Sequence, residues 1–251
     1  MSLDGQVALV TGGGRAIGRE ICETLARAGA TVVSFDLSDS ADTVAAIEAA
    51  GGSATGIACD VTDEARVDEA VAEVVERFGR LDVLVNNAGV FSTMQRRPFW
   101  EIPLDEWELM MSVNVRSVFL VSKAACGPMR AAGSGRIVNI ASNVFVFGMP
   151  QFLHYVASKG AVVGITRGMA RELGPHGIAV NAVSPGLVTT EVTEQTVPAE
   201  YREIVAKGQC LAEALVPSDI AQAVTYLASP AARLVTGQNL LVNGGATMGP
   251  S

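Results

Sequence analysis

Val7-Ala-Leu-Val10, followed directly by Thr11-Gly-Gly-Gly-Arg-Ala-Ile-Gly18, is the stretch that decides the fold of this 251-residue chain. The four apolar residues predict a buried strand, and residues 17–28 then repeat with helical period until Gly29. A glycine-rich turn between a strand and a helix lets the backbone approach a pyrophosphate, and the helix N-terminus favours an anion. Glycine-rich turns also occur without a ligand, so an ordinary tight turn stays open at this point.

Short apolar runs alternate with helix-period stretches along the rest of the chain. This alternation predicts a parallel sheet with helices on both faces and right-handed crossovers. We therefore expect an α/β fold in one domain of residues 1–251, a doubly wound, seven-stranded sheet of Rossmann type with ligands outside the carboxyl ends of the strands. The predicted strands are 7–10, 31–36, 54–60, 81–86, 136–142, 179–184 and 239–243. The predicted helices cover about 17–28, 40–50, 63–78, 104–131, 153–173 and 218–229.

The composition argues against several classes of function. The chain carries 18 Lys and Arg against 26 Asp and Glu, a formal net charge of −8, so we expect no nucleic-acid partner. Four widely spaced cysteines and two histidines predict neither a metal site nor disulfides. The first strand begins at residue 7, and the longest uncharged stretch, 137–158, is interrupted by polar residues and a proline. We therefore expect a cytoplasmic protein with no membrane partner.

Tyr155-Val-Ala-Ser-Lys159 places a phenol and an ammonium four residues apart in a predicted helix, where this spacing puts both on one face. A tyrosine acts as a base near neutral pH only if its pKa is lowered. A cation roughly 5 Å away, at an effective dielectric of about 20, stabilises the phenolate by about 3 kcal/mol. The pair can therefore form a general acid/base unit. A surface turn of a helix matches the same pattern, so the pair alone leaves both interpretations open.

Two further polar residues, Ser142 and Asn114, occupy positions that suit either a catalytic or a structural role. Ser142 closes the predicted strand 136–142, 13 residues before Tyr155, so both hydroxyls can reach one carbonyl oxygen, although a serine at a strand end is usually a cap. Asn114 lies in an otherwise apolar helical run, where a buried amide needs partners that a local kink or an ordered water would supply.

Asp36 ends the second predicted strand, 18 residues after Gly18. An acid in this position accepts hydrogen bonds from the adenosine ribose of a dinucleotide, and its charge repels a 2′-phosphate. Asp36 therefore favours NAD over NADP. The alternative role is that of a helix N-cap, which Ser38, Asp39 or Ser40 could also fill.

The chain resembles the short-chain dehydrogenases/reductases over about residues 6–245. Ala16 departs from the family pattern, because glycine is more usual there, and its methyl group is expected to tighten the turn without abolishing binding. The six matching motifs, in the family's order, are the turn with Thr11, Gly12 and Gly18, the segment Asn86-Asn-Ala-Gly89, Asn114, Ser142, the Tyr155 and Lys159 pair, and Pro185-Gly186.

The resemblance implies an oxidoreductase in which a nicotinamide exchanges a hydride with a carbinol carbon, without a metal or a covalent intermediate. It implies that Ser142 hydrogen-bonds the substrate oxygen and that Tyr155 moves the proton. Lys159 would lower the pKa of Tyr155 and hold the nicotinamide ribose, and Asn114 would hold a water that links Lys159 to solvent. The implied catalytic set is Asn114, Ser142, Tyr155 and Lys159.

The resemblance also implies the contacts of the cofactor, which we expect to be NAD. Arg15 complicates this choice, since a basic residue in the turn binds a 2′-phosphate in some relatives. Leu37 in turn favours NAD, because NADP-dependent members often have arginine at this position. The implied cofactor-binding residues are Gly12, Arg15, Ile17, Gly18, Asp36, Leu37, Asp60, Val61, Asn87, Ala88, Gly89, Tyr155, Lys159, Pro185, Gly186, Val188 and Thr190.

The substrate is less well determined than the cofactor. Residues 188–214 have weak periodicity and are interpreted as a mobile lid, with an ordinary surface excursion as the alternative. Either Arg96 or Arg97 could meet a carboxylate or sulfonate, although a solvated pair is preferred. His154 touches either substrate or only its own helix end. An apolar pocket or a subunit contact is predicted from Val144, Phe145, Phe147, Met149, Phe152 and His154.

Three functions therefore stay open at the level of sequence. The preferred one is an NAD-dependent dehydrogenase of an apolar secondary alcohol. An NADPH-dependent 3-oxoacyl-type ketoreductase is the alternative, and a non-catalytic dinucleotide-binding protein is the remote one. Family members are commonly tetramers, so we expect a homotetramer, with an ordinary monomer as the alternative.

Overall fold

The computed structural model describes residues 1–91 and 95–249 and contains one seven-stranded sheet with every strand parallel to its neighbours. The strand order is β3-β2-β1-β4-β5-β6-β7. The chain therefore winds outward in one direction from β1 and then in the other from β4, which confirms the predicted doubly wound sheet. The strands are β1 Val7–Thr11, β2 Thr31–Asp36, β3 Ser53–Ala58, β4 Val83–Asn86, β5 Gly135–Ile140, β6 Ile178–Pro185 and β7 Asn239–Val242.

Helices cover both faces of the sheet. The predicted helical stretches all contain helices, and two regions predicted without helix also contain short ones, namely the loop before Leu153 and the segment after Thr190. The helices are α1 Ala16–Arg27, α2 Ala41–Ala49, α3 Glu64–Phe78, α4 Leu104–Met111, α5 Ser117–Ala132, α6 Val144–Phe147, α7 Leu153–Leu173, α8 Glu191–Thr196, α9 Ala199–Lys207 and α10 Pro217–Ala228.

Two apolar cores hold these layers together. On one face α1 packs against α10 through residues such as Leu25 and Ile220. On the other face α3 packs against α5 through residues such as Val71 and Met129. Because both faces are covered, the central strands are apolar over most of their length, which is why they are visible in the sequence as Val- and Ile-rich runs.

The predicted helix 104–131 is interrupted, which corrects the expectation of one regular helix. A π-helical segment, Ser112–Arg116, separates α4 from α5 and contains the buried Asn114. The Asn114 side chain accepts a hydrogen bond from the Val90 N–H at 2.8 Å and donates one to the Val90 carbonyl at 3.0 Å. The distortion thus supplies the partners that a buried amide in a helix requires, since such turns displace one residue from the regular ladder.

The combined span Leu104–Ala132 is long and apolar enough to meet a membrane-span criterion of length and composition, with a mean hydropathy of 1.3. In the fold, α5 packs against α3 and against strands β4 and β5. Its apolar residues, Val121 and Met129 among them, belong to the core beneath the sheet. A core helix of a folded domain passes the same criterion.

Buried amides join the centre of the sheet to the helices beside it. The Asn86 amide on β4 donates to Asn139 on β5 at 2.8 Å and to Ser122 on α5 at 3.0 Å. The Asn139 amide in turn donates to Thr166 on α7 at 2.9 Å. Asn139 has no exposed surface, so each of these bonds is shielded from water. The network fixes α7 against the two central strands.

We predict that Asn139→Ala lowers the free energy of unfolding by about 2–3 kcal/mol, because Asn86 and Thr166 each lose a buried partner. Urea unfolding followed by circular dichroism measures this change. Asn86→Ala and the double variant complete a cycle in which the double variant costs less than the sum of the two, because the residues are in contact. Additive costs would contradict the network.

Candidate active site

One cleft of about 860 Å³ opens at the carboxyl ends of the strands, beside the point where the winding reverses. Every residue predicted to contact the cofactor lines this cleft, as do Ser142, Tyr155 and Lys159 of the predicted catalytic set. Asn114 does not line it but lies behind Gly89, towards which its side-chain oxygen points. The sheet therefore brings residues from almost the whole chain to one place.

The glycine-rich turn is tightly held at the floor of the cleft. A Cβ on Gly18 would overlap the Gly12 carbonyl, so the approach of α1 to the turn requires glycine there. The Asn87 side chain donates to the carbonyls of Thr11 and Gly12, both at 3.0 Å. The first turn of α1 then faces the cleft with N–H groups that have no partner inside the helix. This arrangement fits the pyrophosphate of a dinucleotide.

Ala16 has a φ of 48°, in the left-handed region that favours glycine. Alanine at this position therefore costs backbone conformational energy, in addition to the bulk of the methyl group that the sequence suggested. The Ala16 N–H donates to the Glu191 carboxylate of α8 at 3.0 Å. The turn is thus linked to the segment that was predicted to be a lid.

Two carboxylates, Asp36 and Asp60, line the end of the cleft where the resemblance places the adenosine, which we call the adenosine end. Asp36 accepts hydrogen bonds from the N–H groups of Gly14 at 2.9 Å and Leu37 at 2.8 Å. It does not cap α2, whose N-cap is Ser40, so the alternative role considered for Asp36 is wrong. Its two oxygens keep acceptor sites towards the cleft. Asp60 is held by the N–H and hydroxyl of Thr62, at 2.9 and 2.8 Å.

Ser142, Tyr155 and Lys159 meet at the inner end of the cleft. The Ser142 hydroxyl is near enough to the Tyr155 phenol to favour its deprotonated form and so to lower its pKa. The Lys159 ammonium lies 5.7 Å from the centre of the Tyr155 ring. It donates to the Ile140 carbonyl at the end of β5 at 2.9 Å, and the Lys159 side chain is only 5% exposed.

The predicted effect of Lys159 on Tyr155 is not found in the protein alone. Burial raises the pKa of Tyr155 to about 12, and the nearby Ser142 hydroxyl opposes this rise in part. Burial likewise lowers the pKa of Lys159 to about 8. Attraction between the two charges alone would lower the pKa of Tyr155, but removing both groups from water favours their neutral forms more strongly.

The segment after β6 lines the part of the cleft where the resemblance places the nicotinamide. The Thr189 N–H donates to the Leu215 carbonyl at 2.8 Å, which ties the start of this segment to its end. Thr190 lines the cleft, but its hydroxyl accepts a hydrogen bond from the Thr193 N–H at 3.1 Å and caps α8. A cofactor contact of the Thr190 hydroxyl would therefore use its remaining hydrogen.

The substrate end of the cleft is largely apolar. Phe152 stacks on Tyr155 with ring centres 5.0 Å apart, and Phe91, which the sequence did not single out, lies 5.9 Å from the same ring. The position of Phe91 just beyond the Asn86-Asn-Ala-Gly89 segment was the available signal. Of the residues predicted to form an apolar pocket, those that line the cleft are Val144, Phe147, Met149 and Phe152.

The two remaining residues of that predicted pocket lie elsewhere. Phe145 packs against the small core formed by α7 and its neighbours. His154 has no exposed surface, and its side chain lies 3.3 Å from the Glu106 carboxylate of α4. It therefore packs between the start of α7 and α4 and does not line the cleft. Arg97 pairs with the other oxygen of Glu106 at 3.2 Å.

The predicted lid, residues 188–214, contains α8 and α9. These helices border the substrate end of the cleft through Val192, Val197, Tyr201 and Val205. Their apolar side chains line the same cleft as Phe147. The segment is thus in the place that a lid requires, while its motion stays a prediction.

Residues 12–247 match a family model described as "Enoyl-(Acyl carrier protein) reductase". The chain is 40% identical over 245 residues to a cyclopentanol dehydrogenase of Comamonas sp. (strain NCIMB 9872), covering 96% of this chain and 97% of the relative. It is 37% identical over 248 residues to the 3-oxoacyl-(acyl-carrier-protein) reductase FabG of Vibrio cholerae, covering 99% and 100%. A short-chain reductase protein, NovJ of Streptomyces niveus, is 39% identical over 247 residues, covering 95% and 93%.

A crystal structure of a chain named as a short-chain alcohol dehydrogenase from Sinorhizobium meliloti 1021 superposes with a TM-score of 0.92 at 34% identity. The match covers 98% of this chain and 97% of that one. The family model, the relatives and the solved structure each match nearly the whole chain. This chain is therefore an oxidoreductase that belongs to the short-chain dehydrogenases/reductases.

Proposed function

We propose that this protein is an NAD-dependent oxidoreductase that interconverts a secondary alcohol and a ketone. The observation that carries the proposal is the meeting of Ser142, Tyr155 and Lys159 in the same cleft as the glycine-rich turn. Such a cleft can hold the carbinol carbon of a substrate and a dinucleotide side by side. A protein that only binds a dinucleotide would not need the hydroxyl pair of Ser142 and Tyr155.

NAD, when bound, supplies the hydride acceptor at C4 of its nicotinamide and a positive charge close to the phenol. The turn around Gly12 and Gly18 would hold its pyrophosphate, and Asp36 its adenosine ribose. Lys159 would hold the nicotinamide ribose, for which its ammonium has donors left after the bond to Ile140. Val188 and Thr190 would hold the carboxamide.

Ser142 and Tyr155 act on the oxygen of the substrate. In the ketone-to-alcohol direction a protonated Tyr155 donates its proton to the oxygen while Ser142 donates a hydrogen bond to the same atom. A pKa of about 12 keeps Tyr155 protonated at neutral pH and suits it to this direction. In the reverse direction Tyr155 must lose its proton first, and each nearby positive charge favours that loss. Asn114 would hold a water beside Lys159.

The preference for NAD rests on charge at the adenosine end. The carboxylate of Asp36 faces the cleft and would repel a 2′-phosphate, and the adjacent Leu37 is 79% exposed without a charge to attract one. Arg15 also lines the cleft and favours the NADPH-dependent 3-oxoacyl-type ketoreductase as the second candidate. The similarity to the Vibrio cholerae reductase supports that candidate as well.

The substrate is proposed to be an apolar cyclic, aromatic or alkyl alcohol or ketone. Phe152, Phe147 and Met149 give the substrate end an apolar wall. A relative named for cyclopentanol, a cyclic secondary alcohol, supports this class.

A cytoplasmic homotetramer completes the proposal. All four cysteines are free thiols, which is typical of a reducing compartment. Phe119 on α5 is 54% exposed, and Gly164 and Gly168 on α7 have open space beside them. Apolar and small residues on two long helices allow a close approach of partner subunits.

Tyr155→Phe is expected to lower kcat by roughly 10²–10⁴-fold, because the proton loses its donor and acceptor. NADH absorbance on a panel of secondary alcohols and ketones measures turnover. NADH fluorescence measures the Kd of the cofactor, which should change far less than kcat. Tyr226→Phe is the control, because it removes a phenolic hydroxyl on α10 that lies outside the cleft. Full activity of Tyr155→Phe would contradict the proton-transfer role.

Lys159 is expected to make a contribution to the free energy of unfolding of the protein without cofactor that rises between pH 8 and pH 10.5. The pKa of Lys159 is about 8 in the folded state and 10.5 ordinarily, so the unfolded state binds more protons across this window. The buried thiols of Cys22 and Cys59, whose pKa values burial raises, work in the opposite direction above pH 9. Tyr155, with its pKa raised from 10.0 to about 12, does the same between pH 10 and pH 12. Denaturant unfolding across these pH values measures the sum of these contributions.

In Lys159→Met the rise between pH 8 and pH 10 should be missing. Lys207→Met, at the surface beside Glu203, controls for the loss of a positive charge. A difference between wild type and Lys159→Met that does not grow with pH would show that Lys159 is charged without penalty in the fold.

The wild type is expected to bind NADH more tightly than NADPH. Asp36→Asn combined with Leu37→Arg should shift the ratio of the two Kd values towards NADPH by roughly 10–100-fold, because a repelling charge is replaced by an attracting one. Asparagine keeps an oxygen for the Gly14 N–H, so the turn is preserved. A wild type that prefers NADPH would reject the NAD assignment in favour of the second candidate.

A further inference from the structure

Arg96 lies at the substrate end of the cleft, beside the apolar wall. Its guanidinium carbon is 5.8 Å from the centre of the Phe152 ring. Phe152 stacks on Tyr155 with ring centres 5.0 Å apart. A positive charge therefore stands one aromatic ring away from the phenol that acts on the substrate oxygen.

Arg97, the residue after Arg96, is anchored by two contacts. The Arg97 N–H donates to the Gln151 carbonyl at 3.0 Å, just before α7. The Arg97 guanidinium pairs with Glu106 of α4 at 3.2 Å, and Glu106 also contacts the buried His154. Both contacts limit the movement of the chain next to Arg96, which lines the cleft, and a preorganised charge binds a ligand at a lower entropic cost.

The two adjacent arginines differ in how their charges are balanced. Arg97 has its counter-ion in Glu106, whereas no carboxylate of residues 1–91 or 95–249 forms an ion pair with Arg96. The acids that line the cleft, Asp36 and Asp60, belong to the adenosine end. At the substrate end the other charged residue that lines it is Lys159, which is buried at the reacting centre.

Space for a further group lies next to Arg96. A second cavity of about 310 Å³ separates Arg96 from the junction of α8 and α9, where Thr196, Pro198 and Tyr201 line it. Arg96 and Tyr201 border both this cavity and the main cleft. A substrate whose apolar body lies against Phe152 can therefore extend a polar end to Arg96.

We infer that Arg96 determines specificity for a substrate that carries a carboxylate on the side of its apolar body away from the reacting carbon. The inference rests on the proposed alcohol and ketone chemistry and narrows its substrate class. A guanidinium binds a carboxylate with two parallel hydrogen bonds, and stacking over an aromatic ring leaves its donor edge free. In a protein of net charge −8, an anionic substrate requires such a local cation.

The test compares 4-acetylbenzoate with acetophenone, two ketones that share a ring and differ in a carboxylate. With NADH, wild type should reduce 4-acetylbenzoate with the higher kcat/KM. Arg96→Ala should lower kcat/KM for 4-acetylbenzoate by roughly 10–100-fold, mostly through KM, and leave acetophenone unchanged. Arg96→Lys should restore part of the loss. Added salt should weaken the preference.

Arg77→Ala is the matched control. Arg77 also lies over a phenylalanine ring, Phe78, at 5.2 Å, but neither residue lines the cleft. It should leave both substrates unaffected. If Arg96→Ala lowers activity on both ketones equally, or on neither, the inference is overturned while the proposed function stands.

A wild type that reduces neither ketone would count against the proposed function. A binding measurement then tests the carboxylate site without the reaction. Saturation-transfer NMR then reports the binding of 4-acetylbenzoate to the wild type with NADH. Binding that is lost in Arg96→Ala and kept in Arg77→Ala supports the carboxylate site without the reaction. Binding that is equal in all three proteins, or absent from all three, overturns it.

Discussion

The cleft depends on one set of hydrogen bonds where the two halves of the sheet meet. The Asn87 side chain donates to the carbonyls of Thr11 and Gly12, and the Thr11 hydroxyl accepts from the N–H groups of Asn87 and Ala88. These bonds fix the end of β4 against the turn after β1. Because the winding reverses between these two strands, their ends leave a crevice, and the bonds set its floor. The close approach at Gly18 then directs α1 into the same crevice.

Burial governs the chemistry of the inner end as much as the pairing of charges does. Tyr155 and Lys159 are close together, yet each is shifted towards its neutral form because both have lost water. A site of this kind holds its acid/base group in the protonated form until a further charge arrives. The buried network from Asn86 through Asn139 to Thr166 places α7, and with it both residues, against the central strands.

The substrate end illustrates how two identical side chains acquire different roles. Arg96 and Arg97 are adjacent in the chain, and the sequence favoured a solvated pair. The fold gives Arg97 a counter-ion on α4 and leaves Arg96 facing an apolar cleft. The difference comes from the backbone, which directs successive side chains to different sides, and from the position of Glu106 on a helix that only the tertiary structure brings there.

The sequence by itself determined the sheet, the winding and the residues around the cleft. Buried parallel strands are continuous apolar runs, and residues that follow strands collect at one edge, so Gly12, Asp36 and Ser142 could be assigned without coordinates. The sequence also indicated that a buried Asn114 needs partners, and left open whether a kink or an ordered water supplies them. The tertiary structure alone decided the pKa shifts, the left-handed backbone of Ala16, the burial of His154 and the exposure of Arg96 to the cleft. Those properties depend on which distant groups surround a residue, and local periodicity carries no information about them.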